Sequence, residues 1–318
     1  MRFHLCFAKV FLTLTAGLVF CATGLGQPNE RKNTPMETPC TSKTGLHCKI
    51  YGNSGDPILA IHGLGASMYS WRELIKPPYP FKDYKLLMVD LKGAGDSPKP
   101  HDNNYSIIEQ ANLVYQFIQE HDLKNLTIIG NSYGGAVSLL LAIRLCEQEP
   151  GRLSRLILID SGGYNLRLPS HLKILRTPLI GWLAVHLLPP TAQTRKVLRD
   201  SYYDRHKITN EQIDEYARPI ALPGGRYALL QTGKQAIPKN IDELTAQYSK
   251  ISVPTLILWG LDDEVLPLKI GMMLHEAIPG SRFELINDCG HVPQEECPEQ
   301  TICYISEFLG LPFRPCPK

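Results

Sequence analysis

The sequence predicts an α/β fold: a mostly parallel sheet flanked by helices, with a helical cap inserted. Three observations predict it. Short apolar runs recur along the chain: PILAIHG (57–63), KLLMVD (85–90), LTIIG (126–130), RLILID (155–160), PTLILWG (254–260) and RFELIND (282–288). Near-continuous runs of this kind are what strands covered on both faces require. Helical patterns stand between them, as in SIIEQANLVYQFIQEH (106–121) and SYGGAVSLLLAIRLCEQ (132–148), and that alternation implies right-handed crossovers. The rhythm then breaks: from about Tyr164 to Lys250 only helical patterns interrupted by prolines are legible, among them a capping-box signature at Thr209 and Gln212. Helices inserted between two strands read as a cap over the end of the sheet.

In chain order, the N-terminus comes first. MRFHLCFAK is a short basic start, VFLTLTAGLVFCA an apolar stretch of signal-peptide length, and ATGLGQ a run of small residues. The apolar stretch is shorter than the about 20 residues a spanning helix needs. Residues 1–26 therefore read as a cleaved export signal and 27–43 as a polar, proline-bearing linker. Lipid attachment at Cys21 is disfavoured by the bulky Leu18, Val19 and Phe20 before it. The core is expected over 44–163 and 251–314, and the cap over 164–250. The formal charge of +2 comes from Arg2 and Lys9 in the signal, which leaves 31 basic against 31 acidic residues. Such a balance gives no case for nucleic acid or an anionic surface as partner. A small-molecule substrate is expected, with an N-terminal anchor as the only route to a membrane.

Export changes how the nine cysteines read. Cys40 and Cys48 are the easiest local pair. Cys289, Cys297, Cys303 and Cys316 would make two more in an order the sequence leaves open, and Cys146, in a helical pattern, is left as a buried free thiol. The spacings do not suit zinc.

The chemistry centres on GNSYGG. A strand, one turn and a helix put Ser132 at the carboxyl end of a sheet strand, where open α/β sheets gather their sites. The reversal crowds the backbone, which asks for Gly130, Gly134 and Gly135 around the serine. The following helix points its N-terminus at Ser132, so the Tyr133 amide faces a developing oxyanion. A serine hydroxyl needs a base, and the base an orienting acid. His291, in DCGHVPQEE past the last strand, is the base expected. His62 reads as a turn residue in HGLG, while His101, His121, His171, His186, His206 and His275 fall in helices or surface segments. Asp262, Asp263 and Glu264 in LWGLDDEVLP supply the acid.

Together IHGLGAS, DLKGAGDSPKP, GNSYGG, LILIDSGG, LILWGLDDEVLP and DCGHVPQEECPE, in this order from about residue 44 to residue 310, resemble a cap-bearing member of the α/β-hydrolase superfamily. The resemblance implies the α/β-hydrolase fold, Ser132 as nucleophile, His291 as base and Asp263 as acid, three past Gly260. Asp262 is the second choice of acid, and Asp160 is nominated by relatives that carry it one strand earlier. The amides of Leu64 and Tyr133 would form the oxyanion hole. No cofactor or metal is required, because the triad is sufficient.

A serine at the elbow excludes the dehalogenases and most epoxide hydrolases of this fold, which use aspartate. An ester hydrolase acting on a small hydrophobic substrate is the first reading. GNSxGG also resembles hydrolases that cleave C–C bonds of ring-fission products, although those follow the histidine with tryptophan and here it is Val292. Arg167, Arg176 and Arg195 are the cations that would meet a substrate carboxylate, but on helical stretches an arginine is more often a solvated surface residue. Haloperoxidase-like activity shares the same triad. A non-catalytic binding protein on this fold would lose a triad member or blur the elbow. The apolar helix around Trp182, with Leu179, Ile180, Leu183 and Val185, is expected either to line a hydrophobic pocket or to pack on the core.

Overall fold

The computed structural model describes residues 35–77, 79–166 and 169–312. The export signal, Arg167 and Cys316 lie outside the described residues. Eight strands form one sheet in the order β1-β2-β4-β3-β5-β6-β7-β8. They are β1 (Glu37–Pro39), β2 (Cys48–Tyr51), β3 (Asp56–Ile61), β4 (Tyr84–Val89), β5 (Leu126–Asn131), β6 (Leu153–Ile159), β7 (Thr255–Gly260) and β8 (Arg282–Ile286). From β4 to β8 every pairing is parallel, whereas β1 and β2 are antiparallel additions at one edge. All six expected strands form. The linker reading of 27–43 needs correction in its described part, because Glu37–Pro39 pairs with Lys49–Tyr51 and so extends the sheet.

Side chains alternate across the sheet with period two and build a core on each face. Leu59 and Ile61 of β3 and Ile128 of β5 face one way, packing on Val114 and Phe117 of α1 (Ile107–Glu120) and Val137 and Leu141 of α2 (Tyr133–Gln148). Ile58, Ala60 and Ile129 face the other way, against Trp71 and Ile305.

Between β6 and β7 the described residues form helices and no strand: α3 (Ser170–Arg176), α4 (Pro178–Leu187), α5 (Pro190–Ser201), α6 (Asn210–Ala221), α7 (Gly225–Gln235) and α8 (Ile241–Thr245). Proline stands at the first position of α4 and α5, where its missing N–H costs nothing. The capping box of α6 is present: Thr209 Oγ1 accepts the Gln212 N–H at 3.1 Å, and Gln212 Oε1 accepts the Thr209 N–H at 2.7 Å. The chain closes with α9 (Lys269–Ala277), α10 (Pro293–Glu296) and α11 (Pro298–Phe308). Disulfides join Cys40 to Cys48 and Cys289 to Cys297. Cys146 is free, but half-buried rather than buried. No helix among the described residues is long and apolar enough to cross a membrane.

Candidate active site

Ser132 stands between β5 and α2 with φ 54° and ψ −118°. A non-glycine residue held there costs on the order of 1–3 kcal/mol, so the surroundings must impose it. They do so from both sides: the Ser132 N–H donates to the Ile159 carbonyl at 3.0 Å, and its own carbonyl accepts from Gly162 at 2.9 Å and Ala136 at 3.1 Å. The neighbouring glycines serve close approach rather than φ. A Cβ on Gly134 would collide with the Ile61 carbonyl, and one on Gly135 with the Ser161 side chain. The strain is concentrated on the one residue whose hydroxyl is thereby held out.

His291 Nε2 lies 2.8 Å from Ser132 Oγ, and His291 Nδ1 lies 2.8 Å from Asp263 Oδ2. An ionised carboxylate only accepts, so Nδ1 carries the proton and Nε2 offers its lone pair to the serine hydroxyl. Asp263 is held in turn: its Oδ1 accepts the Val265 and Leu266 amides at 2.7 and 3.0 Å. Asp160 sits behind this pair. It is fully buried, accepts the Gly260 N–H at 3.0 Å, and clusters with Asp263 and His291 within 4.8 Å. Burial first, then the Asp263 charge, raises its carboxyl well above the ordinary range. That environment favours the protonated form of Asp160. Asp262, the second choice from sequence, spends its amide on the Cys289 carbonyl at 3.0 Å, while Asp263 makes the contact with His291.

The loop that carries His291 is fastened by residues to which the sequence reading gave no such role. The Glu296 carboxylate accepts the amides of Gly290 at 2.8 Å, Tyr203 at 3.2 Å and Asp204 at 2.7 Å. The His291 N–H donates to the Ser201 carbonyl at 2.7 Å. Asn131 Nδ2 donates to the Ile159 and His291 carbonyls at 3.1 and 3.2 Å, so this elbow residue ties the histidine loop to the sheet. His62 is also more than a turn residue. Its Nδ1 donates to the Gly63 carbonyl at 2.8 Å and its Nε2 accepts the Leu91 amide at 3.0 Å, while burial lowers its pKa and keeps the ring neutral. That fixes the turn in which Leu64 follows. Tyr133 is the first residue of α2, so its N–H has no partner within the helix.

Two cavities meet at Ser132. The larger, of about 470 Å³, is walled by Leu64, Leu175, Val185, Leu198, Leu229 and Val292 among others. The smaller, of about 110 Å³, runs toward Tyr164, Tyr248 and Leu266. Leu64, Ser132 and His171 border both. The buried Glu295 in the larger wall is satisfied by Ser70 at 2.8 Å, Tyr216 at 2.7 Å and Arg72 at 2.6 Å.

Residues 56–298 match the family model described as the alpha/beta hydrolase fold. The chain belongs to the α/β-hydrolase family. Among curated relatives, it is 26% identical to the 2-hydroxy-6-oxo-2,4-heptadienoate hydrolase of Pseudomonas putida, over 81% of this chain and 90% of that protein. It is likewise 26% identical to lipase 3 of a Moraxella species, over 86% of this chain and 84% of the lipase. Among solved structures, a meta-cleavage product hydrolase from Pseudomonas fluorescens superposes with a TM-score of 0.69 at 23% identity, covering 84% of this chain and 95% of that one.

One expectation for this hydrolase is corrected, and Arg176 and Arg195 prove to be solvated surface residues. Of the helix around Trp182, only Gly181 and Val185 are buried. Leu179, Ile180, Trp182 and Leu183 face outward, because α4 is apolar all round and one side suffices to pack. Arg176 and Arg195 are exposed and border neither cavity. His171, read from sequence as a surface or helix residue, borders both cavities, and no local signal gives its facing.

Proposed function

We propose that this hydrolase cleaves an ester bond of a small hydrophobic substrate through an acyl-enzyme on Ser132. The observation that carries the reading is the pair of 2.8 Å hydrogen bonds running from Asp263 through His291 to Ser132, at the junction of two largely apolar cavities. In the reaction, His291 Nε2 takes the hydroxyl proton as Ser132 Oγ bonds to the carbonyl carbon. The carbonyl oxygen becomes an oxyanion against the N–H groups of Leu64 and Tyr133, and losing one such donor costs roughly 100- to 1,000-fold in rate. Asp263 balances the imidazolium. His291 then gives the proton to the departing alkoxide, and water repeats the sequence to free the acid. The larger cavity suits an apolar acyl group and the smaller one the alcohol. The helices over 164–250 act as the cap that walls both.

C–C bond cleavage is the second reading, supported by the Pseudomonas putida relative. Its named substrate is a carboxylate, and among the described residues the Lys or Arg bordering the cavities is Lys196, which is exposed and paired to Asp200 at 2.7 Å. A neutral ester therefore fits better. Export to an oxidising compartment, with removal of residues 1–26, is part of the proposal and is supported by the Cys40–Cys48 and Cys289–Cys297 disulfides.

A fluorophosphonate probe should label the wild type and not Ser132→Ala, with the fold intact by circular dichroism; labelling that survives the change refutes the nucleophile. Asp263→Asn should lower kcat/KM for p-nitrophenyl esters by roughly 1,000-fold or more. Asp160→Asn, which mimics a neutral carboxyl, should change it less than about fivefold, since one pKa-scale interaction of 1.4 kcal/mol is already tenfold. The reverse ranking would make Asp160 the acid. Turnover of a vinylogous diketone but not of any ester would select the C–C reading.

A further inference from the structure

Among the described residues, the outer face of α4 has no partner. Leu179, Ile180, Trp182, Leu183, Leu187 and Leu188 are all exposed, the first and fifth to 69%. A contiguous apolar surface of this kind marks an interaction site rather than ordinary surface scatter. The face is continuous with the catalytic cavity, because Leu188 and the exposed Ile174 on α3 also belong to its lining. The helix is rigidly seated. Gly181 packs so closely on α3 that a Cβ would meet the carbonyls of Ile174 and Leu175, and Arg226 donates to the carbonyls of Val185, His186 and Leu188 at the far end.

Charge says what covers this face. No Asp or Glu lies between Asp160 and Asp200, and although Asp200 on α5 pairs with Lys196 at 2.7 Å, Lys173, Arg176, Arg195 and Arg199 are also exposed on the flanking helices α3 and α5. The overall neutrality of the chain conceals this local excess. A second copy seated on α4 would bring two such cationic borders together, so self-association is disfavoured. An apolar helix with an exposed tryptophan, bordered by lysine and arginine, is complementary to the interface of an anionic bilayer.

We propose that α4 and its flanking cations dock the protein on the surface of an anionic phospholipid bilayer, with the entrance at Ile174 and Leu188 facing the lipid. An ester with a long apolar chain would then pass from bilayer to cavity without crossing water. That last step rests on the ester-hydrolase reading; the docking does not.

Tryptophan fluorescence of the full chain tests the docking site by site. Trp71 and Trp259 are fully buried, so a spectral response to lipid reports Trp182. Phosphatidylglycerol vesicles should shift the emission to the blue, and brominated acyl chains should quench it. Apparent affinity should be at least about tenfold weaker on phosphatidylcholine or in about 0.5 M salt. The double variant Leu179→Asp/Leu187→Asp should lose about tenfold or more in vesicle affinity while hydrolysing a water-soluble short-chain ester as before. Ser132→Ala should dock like the wild type, which separates a failed docking proposal from a failed catalytic one. Three results would overturn the proposal: vesicle binding with unchanged Trp182 emission, equal affinity for the two lipids, or a blue shift without lipid that follows dimer formation in sedimentation.

Discussion

His171 shows what a single side chain can report about the cavity. It sits at the start of α3, bordering both cavities beside Ser132. Burial first, then repulsion from His291, lowers its pKa from 6.5 to about 4. The imidazole is thus neutral at pH 7 and can both donate to and accept from a bound substrate. The depressed value also fixes the sign of a stability effect. The unfolded chain takes this proton near pH 6.5, whereas the folded chain takes it only near pH 4. Stability from the neutral ring is therefore complete above about pH 6.5, declines as the pH falls, and is fully lost below about pH 4. Between pH 7 and pH 5 the loss is about 2 kcal/mol, from roughly one and a half pKa units at 1.36 kcal/mol each. His171→Phe should remove this component, so its Tm should fall by about 4 °C less than that of the wild type over the same interval. Parallel Tm–pH curves for the two proteins would show that the ring is not desolvated in this way.

Among the elements, the short α10 has the largest consequence for its size. Glu296 at its end gathers three amides, one from the histidine loop and two from the segment between α5 and α6. The inserted helices and the His291 loop are thereby clasped by one carboxylate. The sequence exposed half of this arrangement. His291 was legible because it follows the last strand of a recognisable order, but the acceptor role of Glu296 depends on residues more than 90 positions away, which no local pattern encodes. Glu296→Gln puts an amide NH2 where N–H groups converge and removes the charge that strengthens those bonds. A cost of about 2–3 kcal/mol in stability is expected. If Glu296 positions the histidine, the fluorophosphonate labelling rate at 25 °C should also fall by roughly tenfold or more, with substrate KM nearly unchanged. A variant less stable but labelled at the wild-type rate would limit Glu296 to a structural role.

On the scale of the whole molecule, the six parallel strands were legible because burial on both faces writes each as an unbroken apolar run. The edge pair β1 and β2 was not, since ETP and CKIY are short and acquire meaning only through antiparallel pairing. The outward turn of α4 was hidden for the opposite reason: an apolar helix without a polar stripe does not declare which side faces the core. The cysteines were partly legible, and the two disulfides between described residues separate fold from site. Cys40–Cys48 staples the edge pair, far along the sheet order from the triad, while Cys289–Cys297 closes a loop around Gly290 and His291. Loops of this size contribute on the order of 2–3 kcal/mol each by restricting the unfolded chain, so either loss should lower Tm by several degrees. Function should divide between them. Cys40→Ser/Cys48→Ser should lose stability and keep its labelling rate at 25 °C. Cys289→Ser/Cys297→Ser should lose both, because the loop that aims His291 Nε2 at Ser132 then depends for its shape on hydrogen bonds, those with Glu296, Asn131, Ser201 and Asp262. Equal labelling by the two variants would mean that the hydrogen bonds aim the histidine and the second disulfide only stabilises the fold.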